Sequence, residues 1–219
     1  LADGRTDTGS KQSGCGGGLF ASNSSLTPAY ISGLADCVIT NCSASRGAAI
    51  MSGRLVRCRV LGCASGTAGV LSTCHAYATL VRGCSTSKNA LCHNIKADRP
   101  FVNCTFVDNQ RVVADAAELM FCNDILSGNA GGDFGSSAVV SFYGTVFAAG
   151  GAKVDLTQAT KAAAQFVDAE AGDYRLLSTS PGAGTGSGSV SDSGAFSSTV
   201  ISRTMRTGRW SHDVAGLKT

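Results

Sequence analysis

The sequence predicts an all-β chain, a right-handed parallel β-helix (β-solenoid) with coils of about 21 residues. Three observations predict it: a strand-like pattern recurring at a near-constant step, one apolar column shared by every copy, and small residues standing where charged ones are usual.

The repeat comes first. Leu34-Ala-Asp-Cys37-Val-Ile39-Thr-Asn-Cys42 aligns with Leu55-Val-Arg-Cys58-Arg-Val60-Leu-Gly-Cys63 at an offset of 21 residues, and Ala76-Tyr-Ala-Thr79-Leu-Val81-Arg-Gly-Cys84 follows 21 later. Phe101-Val-Asn-Cys104-Thr-Phe106-Val-Asp-Asn109 comes after a step of 25. Phe121-Cys-Asn-Asp124-Ile-Leu126-Ser-Gly-Asn129 and Phe142-Tyr-Gly-Thr145-Val-Phe147-Ala-Ala-Gly150 follow after 20 and 21. Their central column reads Ile39, Val60, Val81, Phe106, Leu126, Phe147, apolar throughout. A second apolar stretch lies about half a repeat on, at Ala49-Ile50-Met51, Val70-Leu71, Ala90-Leu91-Cys92, Ala116-Ala117 and Val139-Val140. Short β-branched and aromatic runs between Gly, Ser and Asn read as strands and turns. Helical periodicity of ten or more residues is missing. Stacked at about 4.8 Å, equivalent side chains form files, so the central column is expected to be one interior ladder.

The composition agrees. Apolar residues make up 43%, enough for a core, while charged residues are 15% against roughly 25% in an ordinary domain. The net charge of +3 is scattered, with no basic stripe interleaved with aromatics, which argues against nucleic acid as a partner. No window approaches the roughly 18 apolar residues of a membrane-spanning helix. The chain opens Leu1-Ala2-Asp3-Gly4 without Met or signal-peptide pattern, and is expected to be a mature or excised piece of a longer, exported precursor. Gly14 to Phe20 resembles the second strand of a still earlier coil, and Ala21 to Ile31 reads as an enlarged loop. The rod is thus expected to start in mid-solenoid, its open strand edges covered by further sequence or by a partner, including another copy of itself.

Residues 1–152 read as coils, 153–196 as a closing segment and 197–219 as a tail. Within these, Lys153 to Ala164 suits a short helix or irregular connector, and 182–194 a loop of small residues. The tail carries Arg203, Arg206, Arg209, Lys218 and Trp210, and reads as an extension or a docking arm. The copies containing Cys104-Thr-Phe106-Val-Asp-Asn109 and Asp124-Ile-Leu126-Ser-Gly-Asn129 resemble the repeats of bacterial right-handed β-helix surface proteins, polymorphic-outer-membrane-protein-like and pectate-lyase-like solenoids. Phe166 to Pro181, then Gly194-Ala-Phe196, is similar to the closing segment of many such exported proteins. That resemblance implies an extracellular or cell-surface location. It leaves activity open, because enzymes and adhesins share the fold.

Among chemistry-bearing residues, the cysteines stand out: ten, in columns. Cys42, Cys63 and Cys84 share one repeat position, and Cys37, Cys58 and Cys104 another. Stacked Cα atoms about 4.8 Å apart lie in the disulfide range, but parallel Cβ vectors fit the required Cβ separation poorly. Buried free thiols packing as small hydrophobes are therefore expected ahead of disulfides, and a metal last. No CxxC pair occurs and His75, His93 and His212 share no register, so neither zinc nor another cofactor is expected. Asn109 and Asn129 continue the second cysteine column and are expected to form an amide ladder.

The 25-residue step places about four extra residues in His93 to Pro100, where Lys96, Asp98 and Arg99 are the candidate catalytic residues. A polysaccharide lyase needs a cation against the uronate and a base for its α-proton. It also needs acids converging from adjacent coils for calcium, and Asp108, Asp115 and Asp124 share no column. No repeat-aligned pair of carboxylates suits a glycosidase. The expected function is accordingly a non-catalytic, exported surface, adhesive or assembly module with glycan as the candidate ligand. The alternatives are a lyase or glycoside hydrolase of the β-helix class, and a self-assembling fibre subunit.

Overall fold

The computed structural model describes residues 1–5, 15–21, 33–87, 90–95, 100–113, 118–135, 139–149 and 159–183. These form a parallel β-solenoid, all strand and turn. Its strands stack into three sheets, one to each side of the coil. The first side joins Val38–Thr40, Arg59–Leu61, Leu80–Arg82, Thr105–Val107, Ile125–Ser127, Thr145–Phe147 and Ala159–Lys161. The second joins Ser43–Arg46, Ala64–Ala68 and Ser85–Thr86. The third carries Ile50–Val56, Leu71–Tyr77, Cys92–His93, Phe101–Val102, Glu118–Cys122 and Val139–Tyr143, with Leu19–Phe20 and Gly33–Ala35 at one end.

The register is that of the sequence repeat. Ile39 pairs with Val60, Val60 with Val81, Val81 with Phe106, Phe106 with Leu126, and Leu126 with Phe147. All six side chains are buried in one continuous core. A one-residue slip would turn the whole file outward, so burial of this column holds the register. Leu19 of the earlier coil pairs with Ile50, and Leu1 to Arg5 lie along Val38 to Ser43.

The second interior column runs Ile50, Leu71, Cys92, Val113, Phe134. This corrects the expected continuation through Ala116-Ala117 and Val139-Val140. Val139-Val140 instead pairs with Glu118-Leu119, and 116–117 lie outside the described residues. The reason is a redistribution of chain within the coil. Eleven residues separate the two columns in the first three coils (Ile39 to Ile50, Val60 to Leu71, Val81 to Cys92), but only seven from Phe106 to Val113 and eight from Leu126 to Phe134. The third side lengthens to compensate, so the repeat period survives while the second side narrows.

Core composition grades along the rod. Cysteine and aliphatic residues fill the early coils, and phenylalanines fill the later ones. Phe101 stacks on Phe121 at 5.4 Å, with Phe106 edge-on to both and Phe134 bridging Phe121 to Phe147 at 5.9 and 5.5 Å. Offset and edge-on rings are the favoured aromatic contacts, so the late core is held together ring on ring.

Lys153 to Ala164 is not a helix where described: Ala159–Lys161 is a strand on Thr145–Phe147, and residues 153–158 lie outside the described set. An antiparallel hairpin follows, Phe166–Asp168 with Asp173–Leu176. It lies over the outward face of the first side. Tyr174 packs with Leu80 and Val107, and Phe166, Ala169 and Leu61 border them. The Tyr174 hydroxyl meets Asp108 at 3.4 Å, and the Arg82 guanidinium lies over its ring. Ile125 and Val146, also outward, are buried beside Gly182. Residues 184–219, including the tail, lie outside the described set.

Each coil turns through left-handed corners. Between third and first sides the corner residues are Asp36, Arg57, Ala78, Asn103, Asn123 and Gly144, with φ from 45° to 59°. Between first and second they are Asp3, Asn41, Gly62, Gly83, Asp108 and Gly128, with φ from 54° to 68°. Gly, Asn and Asp tolerate this region, whereas Ala78 carries a Cβ penalty there. Ala78→Gly should therefore stabilise the protein by about 0.5–1 kcal/mol, read as a higher midpoint in urea unfolding with unchanged slope.

Candidate functional site

The corners organise the polar chemistry. Before a corner, backbone N–H groups donate to the following coil: Arg57 N to Tyr77 O, Ala78 N to Val102 O, Gly62 N to Arg82 O. After it they donate to the preceding coil: Leu80 N to Cys58 O, Ile125 N to Cys104 O, Ser85 N to Cys63 O. The left-handed residue reverses the direction of donation, and the N–H of the next residue has no carbonyl to meet. A buried orphan amide costs about 1–3 kcal/mol, so a side chain must take it.

It is taken each time by the equivalent residue one coil on. At the first corner the Cys37 amide faces the Cys58 thiol, Cys58 N donates to Thr79 Oγ1 at 3.3 Å, and the Thr79 amide faces the Cys104 thiol. Cys104 N then donates to Asp124 Oδ1, and Asp124 N to Thr145 Oγ1 at 3.4 Å. At the other corner the amides of Gly4, Cys42 and Cys63 face the thiols of Cys42, Cys63 and Cys84. Cys84 N donates to Asn109 Oδ1 at 2.9 Å, and Asn109 N to Asn129 Oδ1 at 3.0 Å.

The same side chains also donate downward, to the carbonyl preceding the corner of the earlier coil. Cys63 Sγ reaches Ile39 O, Cys84 Sγ reaches Val60 O, Asn109 Nδ2 reaches Val81 O and Asn129 Nδ2 reaches Phe106 O. The cysteine and asparagine columns are thus one series of clips, each accepting an amide and donating to a carbonyl. Asp133 ends it: Oδ1 accepts from Asn129 Nδ2 at 2.7 Å, and Oδ2 accepts from Ala148 N and Ala149 N. All ten cysteines are free thiols, and all but Cys37 are buried.

Burial pushes the thiols of Cys58, Cys92, Cys104 and Cys122 up. Cys63 goes the other way, because the Cys84 thiol would turn to donate to an ionised Cys63, and Cys84 is raised by the same interaction. Asp124, fully buried, is held well above the usual carboxylate range by desolvation, despite N–H bonds from Cys104 and Cys122. Asp133 is raised by burial as well.

The candidate catalytic residues Lys96, Asp98 and Arg99 lie outside the described residues, as does Asp115. Asp108 and Asp124 sit apart, the first exposed at a corner near Arg82, the second in the core. Three other carboxylates serve the fold: Asp36 pairs with Arg57, Asp173 with Arg175, and Asp168 accepts from Ala171 N. His93 and His75 fall in different columns. His93 Nδ1 lies 3.5 Å from Ser72 Oγ, and its pKa is lowered by burial and then by Arg46. His75 packs edge-on against Tyr77. Ser72, His75 and Tyr77 face away from the core on the third side but are buried. Among the described residues, no three or more His, Cys, Asp or Glu side chains converge as a metal site, and no helix is long and apolar enough to cross a membrane.

Among the described residues, the outward groups of the second side are half-buried or exposed. Its outward groups are Ser43 and Ser45, Ala64 and Thr67, Ser85 and Ser87, then Gln110, Ala130 and Gly131, with Arg46 and Arg111 near its margins. Several hydroxyls are already turned to backbone: Thr67 Oγ1 to Ser45 O at 3.0 Å, and Ser87 Oγ to Gly66 O. This leaves a flat, small-residue, hydroxyl-bearing surface. Comparison with protein-family models, with curated proteins and with solved structures gives no match.

The clips were legible in sequence as columns of Cys and Asn. The expected amide ladder is present, Asn109 Nδ2 donating to Asn129 Oδ1 at 3.1 Å; the part of the thiols in the same series was not legible, nor was that of Asp133, which stands where earlier coils have Ala49, Val70, Leu91 and Val112. The clip logic predicts that Asn109→Ala, which orphans the Cys84 amide and the Val81 carbonyl, costs at least about 2 kcal/mol, whereas Asn109→Cys, which restores the thiol clip of earlier coils, costs about half as much or less; urea titrations check both. A carboxyl whose folded pKa is raised contributes stability that is fully present below its unfolded pKa and is lost as pH rises through the folded value. Stability should therefore fall as pH rises above the ordinary carboxylate range, about pH 4, through Asp124 and Asp133. Asp124→Asn should flatten that slope while losing the bond from Cys122.

Proposed function

We propose that this chain is a non-catalytic module of an exported, bacterial-surface β-solenoid, acting by contact between its open second side and neutral glycan. The observation carrying this reading is the division of labour among the sides. The first is covered by the C-terminal hairpin, and the outward Ser72, His75 and Tyr77 of the third are buried. Among the described residues, the second presents half-buried or exposed hydroxyls and backbone, with charge near its margins. Among the described residues, Asp124 and Asp133 are committed to clips, and Asp36, Asp108 and Asp173 to ion pairs. The resemblance of the repeats to bacterial surface solenoids supports the location.

The extra residues of the longest coil step favour a second reading, a polysaccharide lyase or hydrolase centred on Lys96, Asp98 and Arg99. Calorimetric titration against neutral and acidic glycans, with particle sizing, separates the readings. The expected result is weak binding to a neutral glycan, abolished by Ser45→Arg together with Ala64→Glu on the open side. Release of unsaturated uronates or reducing ends, lost in Asp98→Asn, would establish the enzyme instead. A monomer that binds nothing in the panel sinks the contact proposal, and filaments without glycan binding replace it with self-assembly.

A further inference from the structure

The C-terminal hairpin is bonded to itself rather than to the coils it covers. Phe166–Asp168 and Asp173–Leu176 form its ladder, and Leu177 N donates to Gln165 O. Its ends are tied by Gln165 N to Ser180 Oγ at 2.7 Å, by Ser180 N to Leu177 O and by Ala183 N to Ser180 O. Ala162 N donates to Phe147 O, so Ala163 and Ala164 lie between a residue held by the coils and a unit closed on itself. Among the described residues, one hydrogen bond crosses from this unit to the coils, the long contact of the Tyr174 hydroxyl with the exposed Asp108.

The coil strands beneath are complete without the hairpin. Leu80–Arg82, Thr105–Val107 and Ile125–Ser127 are each paired on both edges. Lifting the hairpin would strand no amide of these strands, and none of its own ladder. The loss would be apolar: Tyr174, with Phe166 edge-on to it, against Leu80 and Val107, and Gly182 over Ile125 and Val146. The Leu80, Val107 and Tyr174 cluster is separate from the continuous core of the coils.

We propose that residues 165–183 are a strap that opens and closes as one unit on the folded solenoid, with its hinge at Ala163 and Ala164, uncovering an apolar strip of Leu80, Val107, Ile125 and Val146. Opening trades a non-directional contact for water and breaks no backbone bond on either side. Opening of the coils must break ladders and clips together, so the strap opens far more often than the rod.

Native-state hydrogen exchange of the full chain, in rising urea below the unfolding transition, tests this. The amides of Leu177, Ser180 and Leu176 should exchange through an opening with a small urea slope, because little surface is exposed. Those of Leu80 and Ile125, directly beneath the strap but bonded to Cys58 O and Cys104 O, should exchange more slowly and with a steep slope. Tyr174→Ala should speed hairpin exchange at least about tenfold and leave the Leu80 and Ile125 amides unchanged. Tyr174→Phe, which keeps the ring and loses only the contact with Asp108, should change it by less than about threefold. The proposal is overturned if hairpin and coil amides share one rate and one slope, or if the hairpin amides have no protection to lose. It is equally overturned if Tyr174→Ala deprotects Leu80 and Ile125 along with the hairpin. Should that variant fail to fold, the two slopes of the parent decide.

Discussion

A parallel coil can turn sharply only by putting a residue into the left-handed region, and doing so reverses which neighbour the backbone donates to. Between the two directions one amide is stranded, and in this chain every other feature of the corner follows from it. The next coil must present an acceptor at the γ or δ position, because a longer side chain would overshoot and an alkyl one would leave the amide bare. Cys, Thr, Asn and Asp meet that requirement, and they are the residues found after Arg57, Ala78, Asn103 and Asn123, and after Asn41, Gly62, Gly83, Asp108 and Gly128. Each coil is thus completed by its successor, which couples neighbouring coils more strongly than stacked strands alone would.

The apolar ladders and the clips divide the work. The Ile39-to-Phe147 file sets which residues face inward and holds the register, a non-directional contribution spread over the rod. The clips are directional and local, and they make a slipped register expensive by leaving amides unpaired. Because the late coils replace thiols with Asn, Asp and Thr while their core gains phenylalanine, polar satisfaction and apolar filling both strengthen toward the C-terminal hairpin. The hairpin covers the outward Leu80 and Val107. Left uncovered, such apolar residues would form an exposed strip along the first side.

The architecture was legible because one column, Ile39, Val60, Val81, Phe106, Leu126 and Phe147, is apolar without exception at a nearly fixed step. The second column was misread beyond Cys92. Its true members, Val113 and Phe134, keep a strict interval of 21 residues, but the second side loses residues where the third gains them, so alignment to the first column pointed elsewhere. A period conserves coil circumference and says nothing about how that circumference is shared among sides. Asp133 illustrates another limit. It caps Ala148 and Ala149 from the position before Phe134, where earlier coils carry Ala49, Val70, Leu91 and Val112, so the apolar character of that column gave no hint of a capping carboxylate. Lys153 to Ala164 was open to a helix because Ala, Lys and Gln suit one. Pairing with Thr145–Phe147 overrides that preference at Ala159–Lys161, since a strand there covers the exposed edge of the first side.

Ten cysteines would ordinarily suggest cross-links, and their freedom here has a geometric cause. In-register side chains on a parallel sheet project side by side, so neighbouring sulfurs are kept at the strand spacing unless one side chain changes rotamer or the backbone moves. Either change would withdraw the sulfur from the amide it accepts. A disulfide in the column would then leave a stranded corner amide, setting a cost of about 1–3 kcal/mol against the typical gain of about 2–4 kcal/mol from closing a loop. Closing the loop gains little in addition where stacked coils already hold the ends together. Cysteine is retained at these corners as a small apolar side chain that can accept and donate at once, and its capacity for oxidation is held in check by burial and by the partners on either side.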